Sequence, residues 1–299
     1  MREIGRFVLA SVALGAIAVW ASENLFWIVP PPGWTLIDWL ETWTAYALAA
    51  ACALALVGRA GVRGMTAAFL GGTVLGFLVE GGIVGTIYAA FPFQVIWPPV
   101  GWHGLISGAV VLGLGRASGR LGPRRMLAIW TGLGLFGGIW ALYWPVERPI
   151  LPDTLTLAGY LAGLGLIVPA GQVVLDRIGT VPRPPVWVQL VAPAVITLAW
   201  AFQGIVAQNP LWLVLPLILF GLWQLMRRLG QREVVSFGAP VPMWYHALFL
   251  VAPVVTVLVA QLGWAKVGSL ATNWPIALLT GAIALLWLLR LSWRAWRGV

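Results

Sequence analysis

The 299-residue chain holds a single cysteine, Cys52, and only two histidines, His103 and His246. One cysteine excludes an internal disulfide. Three imidazole and thiol groups in all are too few for most metal centres, and no CxxC, HExxH, P-loop or GxSxG pattern is present. No metal or other cofactor is therefore expected. A haem held between the two histidines is excluded by their placement at opposite ends of a membrane-sized bundle. Charge is equally scarce, with Asp, Glu, Lys and Arg at 9% of the chain against roughly 25% in soluble domains. A water-soluble fold cannot hide a composition that is 61% hydrophobic, whereas lipid can.

What is present is a succession of apolar runs, each long enough to cross a hydrocarbon core of about 30 Å. Ten are predicted, over residues 4–22, 36–57, 65–91, 97–115, 126–146, 154–174, 186–207, 210–229, 241–262 and 274–291. The fold class is an all-α polytopic membrane bundle forming a single transmembrane domain, with no loop long enough for a soluble domain. The first run, after its basic start, has the pattern of a signal peptide, and retention as the first helix is expected. Sixteen of the eighteen Lys and Arg fall at the termini and in alternate loops, leaving only Arg148 and Lys266 for the others. This asymmetry places both termini in the cytoplasm, in a bacterial or archaeal cytoplasmic membrane. The net charge of +9 is accordingly topological. The partner it implies is the lipid bilayer and not nucleic acid; a homo-oligomer or another membrane protein remains open as a partner.

Glu80 is the one acid deep within an apolar run, and charge at membrane depth is costly enough to be functional by default. Fifteen residues beyond Met65, it is expected near the membrane middle, about 22 Å along its helix. His103 lies early in the following span, with Ser107 one turn on, and is expected nearer the outer boundary. Tyr88 or water would bridge the two, in a relay opening outward. Asp38 and Glu41, one turn apart at the start of the second span, are candidates for an acidic vestibule or simply complement the helix dipole. Glu23, Glu147 and Asp153 are placed at the same boundary. Arg116, Arg120, Arg124 and Arg125 are candidates for a lipid headgroup, although the orientation rule alone accounts for them.

Glycines recur at four-residue spacing in spans three to six, including Gly72 and Gly76, Gly104 and Gly108, and Gly134 and Gly138, so that part is expected to pack most tightly. Tryptophans near span ends, among them Trp97, Trp102, Trp144 and Trp212 outside and Trp187, Trp244, Trp293 and Trp296 inside, read as interfacial anchors. Trp102-His103-Gly104-Leu105 is echoed by Tyr245-His246-Ala247-Leu248, and Gln224 precedes His246 much as Glu80 precedes His103. Five helices plus five would form an inverted repeat, a transporter plan.

These features favour a multi-pass carrier in which Glu80 is the proton- or cation-responsive group and His103 the outer gate. Ten spans in 299 residues resemble the layout of the drug/metabolite carriers in architecture alone. The alternatives are an intramembrane enzyme working on a lipid at the outer leaflet, with His103 as base, Glu80 orienting it and Ser107 or Tyr88 assisting, or a structural or pigment-associated subunit of a larger complex.

Overall fold

The computed structural model describes residues 3–231 and 234–298, so Arg2 and Arg232 of the charge pattern lie outside the described residues. Ten helices long and apolar enough to cross a membrane follow one another: α1 (Glu3–Trp27), α2 (Leu36–Ala60), α3 (Gly64–Ile83), α4 (Phe93–Ala117), α5 (Pro123–Glu147), α6 (Thr154–Ile178), α7 (Val186–Ala207), α8 (Pro210–Leu229), α9 (Met243–Lys266) and α10 (Asn273–Arg297). Lipid offers backbone groups no partner, so apolar runs of this length become helices that satisfy their own hydrogen bonds. Two loops are tied by a short antiparallel pair, β1 (Thr180–Val181) with β2 (Val235–Ser236).

The helices match the apolar runs one for one but differ at their ends. α4 and α10 run on through Arg116 and Arg294, cations that suit the negative end of a helix dipole, and α6 runs on through Asp176, whose charge is paired with Arg116. α1 continues to Trp27 instead of ending at 22, which brings Ser22 and Glu23 inside the helix. α3 stops at Ile83 instead of 91. Two residues on, Gly85 adopts a φ of +86°, which favours a residue without a β-carbon, and the chain enters a 3-10 turn at Thr86–Tyr88. Residues 84–92 then cover the end of α3, with Ile87 fully buried and the Tyr88 hydroxyl donating to the Gly81 carbonyl at 3.0 Å.

Alternate loops gather at opposite ends of the bundle. At one end the Gln231 N–H donates to Gly61 O, Phe237 N–H to Gly179 O and Arg183 to Gly58 O. At the other, Leu270 N–H donates to Leu142 O, Arg148 to Pro30 O and the Gln203 amide to Ile83 O. The first end collects the arginine-bearing loops and is called the arginine-rich face; the second is the acidic face. On the latter, Asp153 caps α6 by accepting from the Leu155 and Thr156 N–H groups, and those bonds hold its carboxyl below the usual range.

Between helices in lipid there is little hydrophobic drive, so association rests on close packing. The most extensive contact is α3 with α4. A β-carbon at Gly72 would stand 2.6 Å from the His103 carbonyl oxygen, and one at Gly108 only 2.3 Å from that of Ala68. Gly134 and Gly138 play the same part between α5 and α9. Overpacking such a site costs about 1–3 kcal/mol or more. Gly108→Val is therefore expected to lower the melting temperature of the purified protein clearly, whereas Gly132→Val, where nothing lies within 4 Å, should leave it nearly unchanged.

Part of the tryptophan belt is core instead. Trp102 and Trp144 are 2% exposed or less; around the end of α1, Trp102 packs with Phe26, Trp97 and Trp140, and Trp144 packs with Trp27. Trp212 is buried too, stacked on Tyr88 at 4.2 Å. The exposed Trp187, Trp244, Trp274, Trp293 and Trp296 keep the position expected of interfacial anchors.

Candidate functional site

Five polar side chains that meet in the bundle interior, Ser22, Glu23, Glu80, His103 and Ser107, come from three segments that share an unusual winding. Ser22 and Glu23 lie in Trp20–Asn24, Glu80 in Leu78–Ile83, and His103 and Ser107 in Trp97–Leu114, each a π-helix. Such turns are rare and concentrate at functional sites. In α4 the cause is local: Pro98 and Pro99 supply no N–H, so the ladder of backbone bonds restarts beyond them in a different register.

The result is one continuous hydrogen-bonded chain. His103 Nε2 lies 3.0 Å from Glu80 Oε1, and His103 Nδ1 lies 2.9 Å from Ser22 Oγ. Ser22 Oγ is in turn 2.8 Å from Ser107 Oγ. The Thr86 hydroxyl, from the segment folded over α3, donates to the Glu80 carboxylate. Alongside, the Tyr46 hydroxyl donates to Glu23 Oε1 at 2.7 Å and the Trp27 indole to Oε2 at 3.1 Å, while the Tyr46 ring lies 5.9 Å from that of His103. His103, Ser22, Ser107 and Tyr46 are each at most 5% exposed.

The chain has two self-consistent proton arrangements. With Glu80 accepting, Nε2 carries the imidazole hydrogen, Ser22 donates to Nδ1 and Ser107 donates to Ser22. With the proton on Glu80, every donor and acceptor reverses: Glu80 donates to Nε2, Nδ1–H to Ser22 and Ser22 to Ser107. The same heavy-atom geometry thus serves both ends of a transfer in which one proton enters at Ser107 from the cavity and one arrives on Glu80.

A cavity of about 480 Å³ leads to this chain. It lies between α1, α2, α3 and α4, ends on His103 and Ser107, and is bordered at its other extremity by Arg63, Arg116, Arg120 and residues 234–238. It therefore extends toward the arginine-rich face. The outward opening expected for the relay, with His103 as outer gate, is reversed: His103 forms the closed end, because residues 84–92 cover the acidic side. Glu80 also differs from its expected midplane position, lying in the last turn of α3, three residues before its end. What removes it from the acidic face is the chain that folds back, not depth along a straight helix.

Other expected site residues stand apart. Tyr88 packs over Glu80's helix end but is committed to Gly81 and Trp212, and burial pushes its hydroxyl above the usual tyrosine range. Asp38 accepts from the Thr35 N–H and hydroxyl at 2.6 and 2.7 Å in a capping box, and Glu41 is exposed. Arg124 and Arg125 are exposed at the start of α5. The Arg116 side chain is 11% exposed and is held within the protein. It donates to Asp176 Oδ1 at 2.5 Å, to the Gln172 side chain and twice to Phe237 O, while His246 Nε2 and the Val241 N–H bind Asp176 Oδ2 at 2.7 and 3.1 Å. The second histidine thus pairs with an acid of α6.

Among the described residues no group of three or more His, Cys, Asp and Glu is placed to hold a metal ion. Ser22, Glu23, Tyr46, Thr86 and Asp176 were not singled out by the sequence as site residues. Their only signal there was polarity within or at the edge of apolar runs. No family model matches the chain, and neither a curated protein nor a solved structure matches it.

Proposed function

We propose that this protein is a membrane carrier whose cargo enters the cavity between α1 and α4 from the arginine-rich face, and whose proton- or cation-responsive element is the Glu80–His103 pair at the cavity's end. The observation that carries this is the meeting of a sizeable cavity with a reversible hydrogen-bond chain. Ser107 touches the cavity, and Glu80 lies three hydrogen bonds further on, through Ser22 and His103, next to the segment that closes the acidic side. A carrier needs a site reached from one face at a time, with the other face shut. Residues 84–92 are the closure here, and Thr86 links that closure to the protonation of Glu80.

The test is efflux from proteoliposomes loaded with a whole-cell metabolite extract, read by mass spectrometry under pH gradients of either sign. At least one solute is expected to leave about tenfold faster under one gradient than the other, and Glu80→Gln should flatten that difference. A solute carried with the same pH dependence by wild type and Glu80→Gln would remove the proposed role of the acid.

One observation favours a second reading. Ser22, His103 and Glu80 are bonded in the order of nucleophile, base and orienting acid, as in a serine hydrolase. An acyl-transferring enzyme would take a fluorophosphonate probe covalently on Ser22 or Ser107, lost on denaturation; a carrier would take none.

A further inference from the structure

We infer that the occupant of the cavity is a single-chain amphiphile with an anionic head, its apolar chain lying along α3 and α4 toward His103 and its head at the arginine rim. This deepens the carrier reading by naming the class of cargo, and rests on it for the identification of the cavity as the cargo path.

Three features of the cavity select that class. Its polar side chains are confined to its two ends: His103 and Ser107 at one, Arg63, Arg116, Arg120 and Ser236 at the other. Between them the wall is made of residues such as Ala53, Leu54, Ala67, Gly71 and Leu112. His103 and Arg116 lie thirteen positions apart on α4, about 15–20 Å along the axis. A sugar, amino acid or inorganic ion would lose its hydration over that length with no group to replace it. A hydrocarbon chain would lose only water it does not favour. The small wall residues Ala53, Ala67, Ala68 and Gly71 keep side-chain bulk out of the passage, which suits a slender chain better than a fused-ring or branched body.

The charge at the rim selects the head. No Asp or Glu among the described residues lines the cavity, whereas three guanidinium groups border it. Arg116 is matched by Asp176, and Arg120 stands exposed at the rim beside Gly238. A carboxylate or phosphate meets a favourable field there, and guanidinium suits both by bidentate geometry. A cationic head would be repelled at the arginine rim. At the far end, His103, bonded at both nitrogens, walls the passage, and Ser107 offers a hydroxyl to the head once the cargo moves inward.

The experiment is native mass spectrometry of the full chain in lipid nanodiscs, titrated separately with palmitate, hexadecyl phosphate, hexadecanol and butyrate. Palmitate, hexadecyl phosphate or both are expected to bind one per protein, at least tenfold more tightly than hexadecanol and butyrate; which of the two anions binds tells a carboxylate cargo from a phosphate one. Ala53→Leu with Gly71→Leu, which fills the passage, should weaken that binding at least tenfold, and Arg120→Gln severalfold. Should the filled variant fail to fold, protection of Ser107→Cys from a maleimide by the bound anion in the otherwise unaltered chain replaces it. Equal binding of hexadecanol, equal binding of butyrate, insensitivity to filling, or absence of any bound amphiphile overturns the inference. The titration is repeated on Glu80→Gln. Amphiphile binding without transport by the wild type would sink the carrier and leave the cavity's ligand standing, whereas transport of a hydrophilic solute with no amphiphile bound would do the reverse.

Discussion

Replacing His103 by leucine is expected to lower the stability of the purified protein by about 3 kcal/mol, the order found when one partner of a buried polar or charged pair is removed. The imidazole is 2% exposed and bonds at both nitrogens, so leucine strands the Glu80 carboxyl on one side and Ser22 on the other. Leucine fills much of the volume, which makes the loss one of bonding and not of packing. The companion Glu80→Leu also leaves the histidine without its acceptor. The double variant should recover part of the loss, because an apolar pair of similar volume carries no orphaned group. Denaturation of the four proteins in one detergent gives the coupling energy directly. A coupling indistinguishable from zero would mean that the pair contributes nothing as a pair, and the relay would lose its physical basis.

The second large effect is expected at the arginine-rich face. Asp176 is the acceptor for Arg116, His246 and the Val241 N–H, and Arg116 in turn holds the Phe237 carbonyl. A single carboxylate thus ties α4, α6, α9 and the loop over the cavity's mouth. Asp176→Leu removes all three bonds and leaves a guanidinium whose side chain is 11% exposed without its partner. The cost is expected to be about 3–5 kcal/mol, concentrated in residues 234–241 and not spread over the bundle. Hydrogen exchange should show those amides, and the β1–β2 pair, losing protection while α3 and α4 keep theirs. Protection retained at 234–241 in Asp176→Leu would contradict the assignment of Asp176 as the tie.

The sequence made the bundle legible because each helix must carry its own apolar run, and that constraint is local. It also singled out Glu80 and His103, since one buried acid and one early histidine are conspicuous in a chain so poor in charge. The ends of helices were less legible. Hydropathy stops where charge begins, so Asp176 was assigned to no site and Glu23 to a boundary, although both lie on helices. The partners were not legible at all: Ser22, Tyr46 and Thr86 reach the site through packing of α1, α2 and the 84–92 segment, and a serine or tyrosine in an apolar run carries no sign of what it faces. The direction of the opening was misread for a related reason. A run of apolar residues from 65 to 91 looks like a single straight helix, and only the positive φ at Gly85 reveals that the chain turns back and shuts the acidic side. The tryptophans show the same limit, since a residue suited to the headgroup layer also suits an aromatic core.

Access to Ser107 tests the central claim most directly. With Cys52 replaced by alanine, Ser107→Cys is labelled in sealed membrane vesicles of both orientations by a membrane-impermeant maleimide, alongside Gly122→Cys in the arginine-rich loop and Gly268→Cys in a loop of the acidic face. Ser107→Cys is expected to react only in the vesicles in which Gly122→Cys reacts. Reaction in the orientation that exposes Gly268→Cys, or in neither, would contradict a cavity that runs from the arginine-rich face to the histidine.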